Sequence, residues 1–133
     1  NRAAPIFEEL RGIVLKTFGV ADHLRSALAP LAKRIRAAFI YGSVAKGADT
    51  ASSDIDVMIV SDELSFPDAI HALTKAEHEV GRSVNPSVLG QDEWRRKLAD
   101  EGGFLKRVME QPKIYLVGTD DDLPKPRKSG KNR

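Results

Sequence analysis

The sequence contains no cysteine, no long apolar run and no charged-then-apolar leader at its start. The absence of cysteine excludes a disulfide scaffold, a thiolate zinc site and a cysteine nucleophile, and it fits a reducing compartment, so we expect a cytoplasmic protein. No stretch of about 18 apolar residues is present, so we expect no membrane partner. The chain begins with Asn1 rather than Met, which predicts that it is a piece of a longer protein.

The small positive charge of the chain comes from its last residues. Among 133 residues, 21 Lys and Arg stand against 19 Asp and Glu. Residues 124–133 hold five of the cations and no acid, so the preceding residues carry three more acids than bases. We therefore do not interpret the net charge of +2 as nucleic-acid binding by the folded part. Residues 119–133 are predicted to form a flexible tail, first acidic and then basic.

Hydrophobic periodicity predicts one layered domain, which is also what the length allows. Residues 1–36 show helical spacing, and Gly19 is expected to separate two helices there. A capped helix is predicted to start at Ser65, and further helices near Gln91 and Phe104. Strands are predicted at residues 37–41, 54–60, 83–89 and 114–117, and Pro86 places the third at a sheet edge or marks a strand end. This order predicts an α/β (α+β) fold, a mixed sheet of about four strands with helices packed around it.

A first segment with candidate functional residues follows the first predicted strand. Gly42 lacks a Cβ, so the backbone N–H groups there can approach an anion closely. Ser43 adds a hydroxyl at a predicted helix start, where unpaired amides favour phosphate. Lys46, one turn later, can supply a positive charge to the same phosphates. Taken alone, Gly-Ser after a strand is more often only a turn.

A pair of acids on the next predicted strand is the second such segment. Asp54 and Asp56 are two residues apart, which places both carboxylates on one face of a strand. Close carboxylates raise each other's pKa unless a cation lies between them. Mg²⁺ typically takes one or two carboxylates together with substrate phosphates. A lone Asp-x-Asp is more often a solvated face, but here it leads into a strongly apolar stretch and follows the phosphate-type segment, so we predict a Mg²⁺–nucleoside triphosphate site.

The segment running from Gly42-Ser43 to Asp54-Ile55-Asp56-Val57 resembles the signature of the DNA polymerase β-like nucleotidyltransferase superfamily, specifically its minimal nucleotidyltransferase branch. This resemblance implies a nucleotidyltransferase core over residues 37–118. It implies that Gly42 and Ser43 bind the nucleotide phosphates, that Asp54 and Asp56 are catalytic and bind Mg²⁺ or Mn²⁺, and that a third carboxylate lies on the following strand.

The place expected for the third carboxylate holds Asn85. An amide oxygen can ligate a hard cation, so Asn85 is a candidate metal ligand, but it carries no charge and cannot accept a proton. We therefore expect nucleotide binding and treat turnover as a separate question, because the loss of a general base removes a contribution of about 10²–10⁴-fold.

The resemblance implies an enzyme that uses a nucleoside triphosphate such as ATP, transfers a nucleoside monophosphate to an acceptor hydroxyl and releases pyrophosphate. The acceptor stays open between a protein, an RNA and a small molecule. Since the chain is too short for an acceptor-binding domain, we expect a partner protein, a fused segment or a second copy of the chain to complete the site. The stretch from Pro5 to Gly12 also resembles the junction that follows a helix-turn-helix in bacterial regulators.

A different class of function stays open beside the enzyme. Asn85 favours a catalytically weak or inactive module that senses a nucleotide within a transcription regulator, or an antitoxin-like partner in a two-protein toxin system. A direct nucleic-acid binder rests on the basic tail alone. His71, Lys75 and His78 share a helical face and are interpreted as an exposed polar surface, and Trp94 is interpreted as a core or interface anchor.

Overall fold

The computed structural model describes residues 19–42, 45, 54–100 and 103–125. Within these ranges one mixed four-stranded sheet runs in the order β3-β2-β1-β4. Its strands are β1 (Ala37–Tyr41), β2 (Ile55–Val60), β3 (Val84–Leu89) and β4 (Ile114–Val117). Strand β1 pairs antiparallel with β2 and β4, and β2 pairs parallel with β3. The predicted mixed sheet is confirmed, and Pro86 lies on β3, an edge strand, where proline is tolerated.

The helices surround this sheet. Residues 19–28 form α1, which passes into a 3-10 helix at Ala29–Arg34 with Pro30 in its first turn. The other α-helices are α2 (Phe66–Val80), α3 (Gln91–Leu98) and α4 (Phe104–Met109), and a second 3-10 helix covers Asp120–Asp122. Gly19 is the first described residue and is helical, and the helix predicted before it lies outside the described residues. No helix in the described ranges is long and apolar enough to span a bilayer.

Apolar side chains form one core layer on each face of the sheet. Strands β1 and β2 are buried on both sides, as continuous apolar runs require. On one face Ile40 and Val57 pack with α1 and α2. On the other face, here called the α3–α4 face, Phe39 and Met58 pack with Trp94 of α3 and with α4. The alternation of side chains along β1 and β2 thus determines on which face of the sheet each side chain lies.

Two side-chain caps fix the turns that follow β2 and β3. Ser65 and Asp68 form the predicted capping box at the start of α2. The Asp62 carboxylate accepts hydrogen bonds from Gln91 N at 2.9 Å and from Gln91 Nε2 at 2.7 Å, and so holds the start of α3. These hydrogen bonds favour the charged carboxylate and lower the pKa of Asp62. Both turns lie at the end of the sheet opposite the acids of β2, so they set the orientation of α2 and α3 without occupying the candidate site.

Candidate functional site

The candidate site lies where β1 ends and β2 begins. The antiparallel register pairs Tyr41 with Asp56, and the parallel register pairs Asp56 with Asn85. Asp54 directly precedes β2. Since side chains alternate along a strand, Asp56 shares the α3–α4 face with Met58. Three neighbouring strands therefore present Tyr41, Asp56 and Asn85 side by side on one face.

The backbone after β1 passes directly against the Asp56 carboxylate. Gly42 follows Tyr41 and has a φ of 77°. A Cβ built on Gly42 would lie 2.6 Å from Asp56 Oδ2, which is closer than atoms of this kind approach. Both the left-handed backbone and the close approach require glycine here. The sequence prediction for Gly42 concerned phosphate, and the structure adds that this glycine makes room for Asp56.

The two aspartates differ in their surroundings. Asp54 is exposed, and its Oδ2 accepts a hydrogen bond from Asn85 Nδ2 at 3.1 Å. Asp56 is partly buried, and burial raises the pKa of its carboxyl group. The charge of Asp54 raises that pKa further, whereas the nearby Asn85 amide opposes the shift. A carboxylate held in this way is stabilised by a cation placed between the two acids.

Tyr41, to which the sequence analysis gave no role, borders the acids. It is 8% exposed, and burial raises the pKa of its hydroxyl. A hydrogen bond with Ser87 opposes that shift and the charge of Asp56 adds to it. The phenol therefore stays neutral beside the site. The available signal was the strand alternation, which places Tyr41 on the face of Asp56 once the two strands are paired.

The predicted site residues fall into two groups. The structure brings Gly42, Asp54, Asp56 and Asn85 together at one end of the sheet. The other two predicted residues, Ser43 and Lys46, lie outside the described residues. His71, Lys75 and His78 are exposed on α2 and Trp94 is buried, as predicted.

The donor set at the site fits one hard cation bound together with phosphates. Asp54 and Asp56 offer carboxylate oxygens, and Asn85 offers an amide oxygen. Among the described residues, no cluster of three or more acidic, histidine or cysteine side chains is placed to hold a metal. Two carboxylates alone do not enclose a cation, so the remaining ligands of Mg²⁺ would have to come from water or from a substrate.

Comparisons with known proteins agree on a family. Residues 26–89 match the family model described as polymerase beta, nucleotidyltransferase. A protein of Methanocaldococcus jannaschii named "Putative protein adenylyltransferase MJ0604" is 31% identical over 81 residues, which cover 61% of this chain and 78% of that protein. A solved structure named "Crystal structure of the toxin-antitoxin with AMP-PNP" superposes with a TM-score of 0.55 at 16% identity, covering 77% of this chain and 76% of the other. The likeness to the solved structure shows a shared fold. The family-model match and the 31% identical relative show that the chain belongs to the polymerase beta nucleotidyltransferase family.

Proposed function

We propose that this domain transfers an adenylyl group from ATP to a hydroxyl group of a protein, with release of pyrophosphate. The observation that carries the proposal is the meeting of Asp54, Asp56 and Asn85 beside the left-handed turn at Gly42. The name of the Methanocaldococcus jannaschii relative supports adenylyl as the group and protein as the acceptor class. The structural neighbour is a toxin-antitoxin with AMP-PNP, an ATP analogue, which is consistent with ATP as donor.

Each residue has a separate task in this proposal. The backbone N–H groups at Gly42 would contact the phosphates, since glycine has no Cβ that would hold a ligand away from the backbone. Asp54 and Asp56 would hold a divalent cation. When bound, that cation supplies charge neutralisation and polarisation of the phosphoryl oxygens. Tyr41 stays uncharged and adds no negative charge next to the two acids.

The transfer step balances without a further co-reactant. The acceptor hydroxyl oxygen attacks the α-phosphorus of ATP, and a new oxygen–phosphorus bond forms. The bond from the α-phosphorus to the oxygen bridging the β-phosphorus breaks, and pyrophosphate leaves with that electron pair. The hydroxyl proton passes to solvent, because Asn85 cannot accept it. The missing base predicts turnover slower by about 10²–10⁴-fold than a site with a carboxylate there.

A nucleotide-sensing module without turnover is the second candidate. Asn85 favours it, because this neutral side chain stands beside Asp56 where the family resemblance implies a third carboxylate. In this case ATP and Mg²⁺ would bind through the same two aspartates, and binding would change an interaction of the protein instead of starting a reaction.

Labelled ATP separates the two candidates. The protein is incubated with cell extract, Mg²⁺ or Mn²⁺, and ATP labelled either at the α- or at the γ-phosphate. Adenylyl transfer predicts protein-bound label from α-labelled ATP alone. Asp54→Ala and Asp56→Ala should abolish it, whereas Asp121→Ala, a change at an exposed acid in the 3-10 helix Asp120–Asp122, should not. ATP binding without label transfer under any condition would favour the sensing module and contradict the enzyme.

A further inference from the structure

We propose that the exposed ring of Phe104 is the surface on which the nucleobase of the bound nucleotide stacks. The inference rests on the proposed function, since it assigns a specificity-determining residue to the same site. It concerns a residue in α4 that is distant in sequence from Asp54 and Asp56. It follows from three observations on exposure, ring geometry and position.

Phe104 is exposed at a point where its helix neighbours are buried. Its exposed fraction is 51%, whereas Leu105 and Val108 of the same helix are 1% exposed. Helix α4 therefore anchors itself in the core through those two side chains and presents the Phe104 ring outward. Covering an exposed apolar ring at this position with a flat ligand removes apolar surface from water, which favours binding.

The Phe104 ring is held in place by Tyr41. The two ring centroids lie 5.9 Å apart at an interplanar angle of 72°, an edge-to-face contact. Tyr41 in turn packs edge-to-face on Phe39 within the core, at 6.1 Å. Phe104 is thus the outermost member of a chain of aromatic rings, and an oriented ring loses less conformational entropy on binding than a free one.

Tyr41 also connects Phe104 to the acids. It pairs with Asp56 in the sheet and directly precedes Gly42. Phe104 therefore lies one aromatic ring away from the residues proposed to hold the phosphates and the cation, on the same face of the sheet. A nucleotide with its phosphates at Gly42 must extend its nucleoside to one side of the acids, and the Phe104 ring offers a flat apolar surface there.

The molecule supplies a matched control in Phe66. Phe66 is the first residue of α2 as Phe104 is the first residue of α4, and it is 53% exposed. Helix α2 packs on the opposite face of the sheet through Ala69 and Leu73. The two phenylalanines therefore match in exposure and helix position and differ in their distance from the acids.

Isothermal titration calorimetry tests the assignment with Mg²⁺-ATP and with Mg²⁺-tripolyphosphate, which has no base. Stacking predicts that Phe104→Ala weakens ATP binding by about tenfold, from the range measured for bases on aromatic side chains. Tripolyphosphate binding should not change. Phe104→Trp should retain ATP affinity, and Phe66→Ala should bind both ligands as the original protein does. Because every base has a flat π surface, GTP should lose affinity to a similar extent as ATP.

Other outcomes overturn the assignment in distinguishable ways. Equal loss for both ligands would mean that Phe104→Ala disturbs the site as a whole. Unchanged ATP affinity with a raised KM for the acceptor would mean that the Phe104 ring contacts the acceptor and not the base. If ATP binds but no adenylyl transfer occurs, the proposed function fails. The ATP and tripolyphosphate affinities of Phe104→Ala would still show whether the base stacks on the ring. Failure of the original protein to bind any nucleotide contradicts both.

Discussion

The Asn85 amide donates a hydrogen bond to the Asp54 carboxylate, with 3.1 Å between Nδ2 and Oδ2. The donor end of the amide thus faces one of the two predicted metal ligands, and the same amide opposes the rise in the pKa of Asp56. The amide oxygen of Asn85 is not used in this hydrogen bond and stays available as an acceptor. Asn85 therefore stabilises the charged forms of the two acids in the absence of a metal.

Asn85→Asp is expected to convert this position into a third carboxylate. Added negative charge should tighten Mg²⁺ binding by about tenfold, as ligand charge does in oxygen sites. It should also lower the Tm of the metal-free protein, because three acids then repel one another. Magnesium titration by calorimetry and a thermal melt with and without Mg²⁺ measure the two effects. Asn85→Ala is the control, and equal Mg²⁺ affinity in both variants would rule out a role for this position in metal binding.

Asp56→Asn is expected to stabilise the metal-free protein at neutral pH and to abolish Mg²⁺-dependent ATP binding. The pKa of Asp56 is raised in the folded protein, so the folded state disfavours the charged form. The destabilisation is absent below the ordinary aspartate pKa near 3.9 and grows as pH rises through the pKa of folded Asp56.

Thermal melts across a pH series test the expectation for Asp56. The difference in Tm between Asp56→Asn and the original protein should be largest at pH 7 and should shrink toward acidic pH. Asp54→Asn is the matched control, since Asp54 is exposed. A Tm for Asp56→Asn below that of the original protein at pH 7 would contradict burial as the main cause of the raised pKa of Asp56.

Gly42→Ala is expected to damage both the fold and the site. A φ of 77° costs a residue with a Cβ about 1–2 kcal/mol, and the new Cβ would also meet Asp56 Oδ2. Gly81→Ala is a matched control, because Gly81 has a φ of 71° and open space around its Cβ position. Chemical denaturation should show the larger loss for Gly42→Ala, and calorimetry should show that only this variant weakens Mg²⁺-ATP binding. Equal losses of stability and equal Mg²⁺-ATP affinities in the two variants would show that the close approach of Gly42 to Asp56 affects neither property.

Ser61→Ala is expected to lower the free energy of unfolding by about 1–3 kcal/mol and to leave ATP affinity unchanged. The buried Ser61 hydroxyl donates to Arg34 O at 2.5 Å and accepts from Leu64 N at 3.0 Å. Removing it leaves these groups without that partner at the end of β2 far from Asp54. Urea denaturation measures the loss, and the exposed Ser83→Ala should stay within about 0.5 kcal/mol of the original protein. A stability loss below that of Ser83→Ala would contradict the prediction.

Much of the local structure follows from residue patterns. The runs 37–41 and 114–117 coincide with β1 and β4, and Ser65 with Asp68 forms the predicted capping box. These features depend on neighbours within a few residues, so short-range chemistry determines them. The prediction that Gly19 separates two helices stays a prediction, because the residues before Gly19 lie outside the described ranges.

The sequence by itself determined the mixed sheet, the family signature and the identity of the acids, because strand periodicity and side-chain chemistry are local properties. The tertiary structure decided that Asn85 contacts Asp54, that Gly42 leaves room for Asp56 and that Phe104 joins Tyr41 beside the acids. These relations join residues that are far apart along the chain. They depend on strand register and helix packing, which are set by the burial of both sheet faces at once and cannot be read from any single segment.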